Sequence, residues 1–302
     1  MTLQQLKYAL MVAETGSMNE AAKKLFISQP SLSAAVRDLE SEMQIILFSR
    51  NSKGVIITPE GIEFLSYARQ IMNQVDLLED KYYTGESVKK KFGVSTQHYS
   101  FAVKAFVETV KSFDMEEYEF AIRETRTYDV IQDVKSGKSE LGILYLNEFN
   151  EKVIQKLLKN EQLVFHDLIQ CKAYVYLYKE HPLAKLHEIA LEDLEEYPCL
   201  SFEQGEHNSF YFAEEILSTY DYKKTIKACD RATMLNLMVG LYGYTLCSGI
   251  ICEELNGGDY MAIPLKSDTV MRIGYITLKN SMISQIGQRY LEELGAYMKS
   301  NQ

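Results

Sequence analysis

Apolar residues recur three to four apart at Leu3, Leu6, Leu10 and Ala13, the spacing of one helical face, and the pattern stops at the glycine of ETGS. Ser17, with Glu20 three residues on, has capping-box spacing and opens a second helix, whose inward face of Ala21, Ala22 and Leu25 lets another helix cross closely. Beyond the turn LFIS, Ser28 caps a third helix with Pro30 in its first turn, where a missing N–H costs nothing. Turning Leu32, Val36, Leu39 and Met43 inward leaves Gln29, Ser31, Ser33 and Arg37 on the opposite face. The run ILFSRNSKGVIITPEG reads as a strand, a turn at 52–54 and a second strand ending at Thr58-Pro59, so residues 1–59 are expected to form a helix-turn-helix with a wing.

Over residues 60–88, Phe64, Ala68, Ile71, Val75, Leu78 and Tyr82 alternate in steps of four and three, an a/d seam that calls for a partner helix. From 89 to 302 the pattern changes. Strand-like runs KFGVST, YEFAIRE, ELGILYL, AYVYLY, CLSF, TIKACD and VMRIGYITL alternate with helical runs such as SFAVKAFVETVKSF, YDVIQDVKSG and SQIGQRYLEELGAYM. That alternation predicts α/β layers around mainly parallel sheets, in a segment long enough for two lobes. Residues 232–252 carry no charge, but Asn236, Gly240, Gly243 and Ser248 interrupt them and no Lys/Arg cluster flanks them. A helix ending at glycine and a short buried strand are expected there, not a membrane span.

The net charge of −10 argues against indiscriminate nucleic-acid binding, yet residues 1–58 hold six Lys/Arg against five Asp/Glu, so the acidity belongs to the second part. The third helix suits DNA. Arginine and glutamine can bond base edges in two places, while serines and a helix N-terminus can grip phosphates. In the wing, Arg50, Asn51, Ser52 and Lys53 can reach backbone phosphates or a minor groove.

Taken together, ETGSMNEAAKKLFISQPSLSAAVRDLESEM and LFSRNSKGVIITPEG resemble the N-terminal domain of LysR-type transcriptional regulators. The Gly-Ser, the double Ala, Ser-Gln-Pro-Ser-Leu-Ser, Leu-Glu, Leu-Phe-x-Arg and Thr-x-x-Gly stand in family order. Gln44 departs from the pattern, standing where the family usually has glycine. The resemblance implies that Gln29, Pro30, Ser31, Ser33 and Arg37 are recognition-helix positions and that Arg50, Asn51 and Lys53 touch the backbone of double-stranded DNA. It also implies that the helix of 60–88 pairs with its copy, presenting two recognition helices to a two-fold symmetric operator. HPLAKLHEIALEDLEEYP and SGKSELGILYL resemble, more loosely, the same family's effector region, which implies a periplasmic-binding-protein-like fold for 89–302. Lobe I would then be 89–162 and 267–302 and lobe II 163–266, with crossovers near 163 and 266 and a small metabolite between them. Assembly as a dimer or tetramer and contact with RNA polymerase are further implications.

STQHYS, residues 95–100, lies where a strand ends and a helix begins, so hydroxyls, an amide and backbone N–H groups converge with the positive end of the helix dipole. Spacing alone allows either an anion site formed by Thr96, Gln97, Tyr99 and Ser100 or simple N-capping by Thr96, and the resemblance to the family implies the anion site. Facing them across the implied cleft, Ser201 and Phe202 follow a strand in the second lobe, while Tyr145 ends another strand in the first; Arg126 is a candidate carboxylate clamp, with a plain surface arginine as the alternative. STQHYSFA also resembles the loop of the branch that governs cysteine and sulfur assimilation, implying an anionic, sulfur-linked effector such as an acylated serine.

Catalytic chemistry finds little support. The chain has no Gly-x-Ser-x-Gly elbow, phosphate-cradling glycine loop or His-Glu-x-x-His, and its five histidines are scattered, so no enzymatic activity, cofactor or metal is expected. Cys171, Cys199, Cys229, Cys247 and Cys252 are odd in number and lack paired metal spacing, which suits reduced, buried thiols. The alternative is a thiol-based redox-sensing regulator on the same scaffold, which needs an exposed, low-pKa thiol and a resolving partner. With 46% hydrophobic and 25% charged residues, and MTLQQLKYAL lacking a secretory pattern, a soluble cytoplasmic protein is expected.

Overall fold

The computed structural model describes residues 1–51, 54–83, 89–113, 117–207 and 209–300; the side chains at 50, 51, 54, 77 and 80–83 lie outside that description. The chain divides into two compact units, Met1–Val88 and Lys89–Gln302.

The first unit runs α1 (Leu3–Thr15), α2 (Met18–Lys24), α3 (Gln29–Met43), β1 (Phe48–Asn51), β2 (Gly54–Ile57) and α4 (Pro59–Tyr83). Its helix starts obey local chemistry. Thr2 and Gln5 form a capping box on α1, while Ser17 and Ser28 accept hydrogen bonds from the N–H groups of Glu20 and Ser31. Gly16 ends α1 at φ +63°, a left-handed turn that costs glycine no Cβ clash. Leu6, Ala9, Val12, Ala21, Leu32, Val36 and Leu39 form the core, closed by Leu47, Leu65 and Ala68. Leu3 and Met43 stay outside it, at 49% and 38% exposed, because each stands at a helix end beyond the last packed turn. Strands β1 and β2 pair antiparallel as the wing, from Phe48 opposite Ile57 to Asn51 opposite Gly54. In α4 the expected seam is half used within the unit. Phe64 and Ala68 pack on the core and Val75 is half-buried, but Ile71 and Leu78 are exposed. The Tyr82 side chain lies outside the described residues.

The second unit runs β3 (Lys90–Thr96), α5 (Ser100–Ser112), β4 (Tyr118–Glu124), α6 (Thr127–Lys135), β5 (Leu141–Leu146), α7 (Glu151–Asn160), β6 (Leu163–Lys172), β7 (Tyr174–Tyr178), β8 (Cys199–Phe202), β9 (Thr225–Ala228), α8 (Arg231–Leu241), β10 (Thr245–Cys247), α9 (Glu253–Asn256), β11 (Tyr260–Pro264), β12 (Val270–Leu278) and α10 (Gln285–Ser300). Lobe I is a five-stranded sheet in the order β4-β3-β5-β12-β6. One face packs Phe92, Phe101, Phe106 and Tyr290 against α5 and α10, and the other packs Val130, Val134, Leu144 and Ile154 against α6 and α7. Lobe II holds the sheet β10-β7-β11 and the parallel pair β8-β9.

Two expectations need correction. The five-stranded sheet is mixed, since β12 runs antiparallel to β5 and β6, and the sheet β10-β7-β11 is wholly antiparallel. The first crossover also falls later than 163. β6 pairs with β12 from Leu163 opposite Leu278 to Lys172 opposite Val270, so the chain leaves the first sheet beyond Lys172. LVFHDLIQCK lacks the alternation of a strand because His166 and Asp167 interrupt it, and Leu168 is the extra residue of a bulge opposite Ile273 and Gly274. Among the described residues no helix is long and apolar enough to cross a membrane; residues 232–252 fall mainly in α8 and β10.

Candidate functional sites

The first site is the open face of α3. Pro30, Ser31, Ala34, Arg37 and Asp38 are exposed along it, with Gln29 half-buried at its start. Ser31 Oγ sits 2.7 Å from the capping hydroxyl of Ser28. Arg37 Nε donates to the Ser33 carbonyl at 3.2 Å, which lays the guanidinium along the helix and leaves its remaining donors outward. Ser33 is a correction: it is 5% exposed and its hydroxyl accepts from Gln29 Nε2 at 2.8 Å, so it orients Gln29 and does not itself face outward. Ala34 and Asp38, unremarked in the sequence, hold the surface expected of it. The Leu-Glu and Thr-x-x-Gly motifs acquire physical reasons here. Glu40 Oε1 accepts from the Leu47 and Phe48 N–H groups at 2.7 and 3.1 Å, tying α3 to the root of the wing. The Thr58 hydroxyl accepts from Gly61 N at 2.9 Å at the start of α4. Lys53 and the side chains of Arg50 and Asn51 lie outside the described residues.

The second site is a cavity of about 80 Å³ between the lobes of the second unit. Lobe I supplies His98, Tyr99, Ser100 and Phe101, from the junction of β3 and α5, and Met271. Lobe II supplies Phe202, Glu214, Glu215, Arg231, Met234 and Thr245, among others. Of the residues expected here, Tyr99, Ser100 and Phe202 line it. The other five are corrected. Thr96 and Gln97 are fully buried at the end of β3. Gln97 is spent on structure, donating to Thr127 Oγ1 at 2.6 Å and accepting from Tyr99 Oη at 2.9 Å and Tyr145 N at 3.1 Å. Tyr145 Oη donates to the Glu215 carbonyl at 2.9 Å. Arg126 Nε donates to the Glu203 carbonyl at 3.2 Å, so it fastens lobe to lobe in place of clamping a ligand. Ser201 faces a separate groove on lobe II. Thr96 is no N-cap either; Tyr99 holds that position of α5, without a side-chain cap bond.

The residues missed by sequence reasoning dominate the chemistry. Glu214 Oε2 accepts from both the backbone N–H of His98 and the Nδ1 side of its ring at 2.9 Å, while Glu214 Oε1 accepts from Gln204 Nε2 at 2.9 Å. A carboxylate of the chain itself thus sits where the free anion site was expected. The His98 ring stacks on Phe202 with centroids 3.8 Å apart. Burial, reinforced by the charge of Glu214, pushes the Glu215 carboxyl up to about 8, against the N–H of Phe202, which bonds it at 2.8 Å. Burial lowers Arg231 to about 10, and its guanidinium is paired with Glu124 and bonded to Asn256. The signal for the glutamates was the run FAEEIL, two adjacent carboxylates in an apolar setting.

Among the described residues no cysteine combines exposure with a lowered pKa. Burial pushes the thiols of Cys171, Cys199 and Cys247 up to about 12. The exposed Cys229 is also raised, chiefly by its hydrogen bond to Glu203, and Cys252 is fully enclosed. Low-pKa, accessible thiolates are what redox sensing requires.

Known proteins bear on both sites. Residues 3–62 match the model of the bacterial regulatory helix-turn-helix protein, lysR family, and residues 99–299 match the LysR substrate binding domain. YnfL of Escherichia coli K12, an uncharacterized HTH-type transcriptional regulator, is 26% identical over 206 residues, 67% of this chain and 65% of YnfL. YbhD of the same strain, also an uncharacterized HTH-type transcriptional regulator, is 22% identical over 303 residues, 95% of this chain and 89% of YbhD. A mutant of Corynebacterium glutamicum OxyR shares the fold at 20% identity and a TM-score of 0.53, over 99% of this chain and 94% of that one. A capped third helix beside a wing, joined in one chain to a two-lobed unit and matched by both models, means that this protein belongs to the LysR family of bacterial helix-turn-helix regulators.

Proposed function

We propose that this LysR-family protein regulates transcription by binding a two-fold symmetric DNA site as a homo-oligomer, and that a small effector in the inter-lobe cavity modulates that binding. The carrying observation is the capped α3 with Arg37 and Ser31 on an open face, in the same chain as lobes that close on a cavity. Exposed Ile71 and Leu78 on α4 support pairing with a second copy. RNA polymerase is the natural further partner, and the role belongs in the cytoplasm with the chromosome.

Lobe closure is built from named contacts. Thr127 N donates to Gln204 Oε1 at 3.1 Å, Thr127 Oγ1 donates to the Phe212 carbonyl at 2.7 Å, and Tyr145, Arg126 and His98 bind the same loop. An effector shifts this arrangement to the extent that it binds one lobe spacing more tightly than another. A sulfur-linked anion loses its footing here, since Thr96 and Gln97, which motivated it, are enclosed in lobe I.

Selection of fragments from a random DNA pool by the full-length protein tests the reading. A symmetric motif should be enriched, and Arg37→Ala should weaken binding to it by about 1–3 kcal/mol while relaxing one base position in each half-site. An equal loss on every sequence would make Arg37 a phosphate contact, and failure to enrich any motif would refute specific DNA binding.

A further inference from the structure

The cavity between the lobes has a charge balance unsuited to the anionic effector expected from the sequence. One donor that an anion would use, the His98 N–H, is bound by Glu214. Its guanidinium, Arg231, is committed to Glu124 and to Asn256 Oδ1. Glu215 adds a second acidic group, one that burial and the neighbouring Glu214 hold uncharged at neutral pH. An incoming carboxylate or phosphate would be buried beside Glu214 with its counter-charges already spent, which is strongly unfavourable in a low-dielectric setting. The rest of the wall is soft and apolar. Met234, Met238 and Met271 contribute thioethers that adapt to the shape of an apolar guest.

One polar atom in that wall is unmatched. Thr245, the first residue of β10, lines the cavity at 8% exposure, and its Oγ1 is enclosed without a hydrogen-bond partner. Its neighbours differ. Ser100 Oγ accepts from Cys252 N, Tyr99 Oη donates to Gln97, and Ser248 Oγ accepts from Ile250 N. A buried hydroxyl left unpaired carries a standing cost that a ligand group placed against it would recover.

We propose that the inter-lobe cavity takes a small, uncharged, largely apolar ligand with one hydrogen-bonding group that pairs with the Thr245 hydroxyl, and that it rejects anions of equal size. This rests on the reading of the cavity as the effector site. A cavity of 150 Å³ holds benzene, so the 80 Å³ found here admits a molecule of about three or four non-hydrogen atoms before the lobes must part.

Acetamide and acetate, matched in size and differing in charge, discriminate the classes in saturation-transfer NMR on the full-length protein. Acetamide should receive saturation with an affinity at least tenfold above that of acetate. Thr245→Val should weaken acetamide about tenfold while leaving the unfolding temperature unchanged or higher, because a methyl replaces an unpaired hydroxyl of the same shape. Met238→Trp, which fills the cavity, should abolish acetamide binding, with circular dichroism confirming the fold. Acetate binding as well as acetamide overturns the ligand class, as does saturation of neither probe. A lowered unfolding temperature in Thr245→Val overturns the role of the hydroxyl. If acetamide binds as described while neither it nor Met238→Trp changes affinity for the selected DNA, the ligand class stands and the effector reading is what fails.

Discussion

Gly61 shows how much of the first unit is decided by single atoms. A Cβ at this position would lie 2.4 Å from the Leu47 carbonyl oxygen, a backbone atom that cannot swing away. The Thr-x-x-Gly spacing therefore records a close approach between the start of α4 and the root of the wing, with Thr58 capping the helix between them. Gly61→Ala should destabilise the first unit by about 1–3 kcal/mol, after allowing for the smaller entropy loss of alanine on folding. Urea unfolding checks this, and an unchanged midpoint would mean that the wing root yields at little cost. Ser33 teaches the converse. It lies in the middle of a run read as facing DNA, yet its hydroxyl is turned inward to hold Gln29, so a residue can shape a recognition surface without being on it.

At the scale of elements, α3 ends with Gln44 at φ +55°, a left-handed conformation that glycine adopts freely and other L-residues adopt at a cost. The departure at Gln44 thus leaves the turn in place and adds strain to it. Gln44→Gly should raise the stability of the first unit by up to about 1 kcal/mol, the relief of strain being partly offset by the greater freedom of glycine in the unfolded chain. A measured loss would show that the Gln44 side chain contributes packing beyond its backbone. Helix α4 behaves differently along its length. Its first turns are anchored by Leu65 and Ala68, both within 1% of full burial, while Ile71 and Leu78 find no cover in their own unit. That division of labour suits a helix serving one core at its start and a second copy farther along.

Across the effector-binding unit as a whole, the buried Glu215 links stability to pH. The unfolded chain releases the Glu215 proton near 4.5, whereas the folded unit keeps it until about 8. The folded state therefore holds the extra proton in this window, and stability falls as pH rises from about 4.5 to about 8, at a limit of about 1.4 kcal/mol per pH unit. Glu215→Gln keeps an acceptor for the Phe202 N–H and removes the titration. It should match the parent near pH 4.5 and exceed it increasingly towards pH 8 in urea unfolding. A constant difference across that range would show that Glu215 ionises normally in the folded state.

Helix starts and stops, the wing and the alternation of strands with helices could all be read from the chain, because capping hydroxyls, glycine turns and a 3.6-residue period act over a few residues. The order of strands, the late crossover after β6 and the inward turn of Thr96 and Gln97 could not, since a strand at the centre of a sheet is covered on both faces and its polar residues carry no mark of which side they meet. The cavity is further still from local pattern. It brings His98 to Glu214, Arg231 to Glu124 and Ser100 to Cys252 across more than a hundred residues each, and whether a carboxylate serves as a ligand site or as its occupant is settled by what folding places beside it.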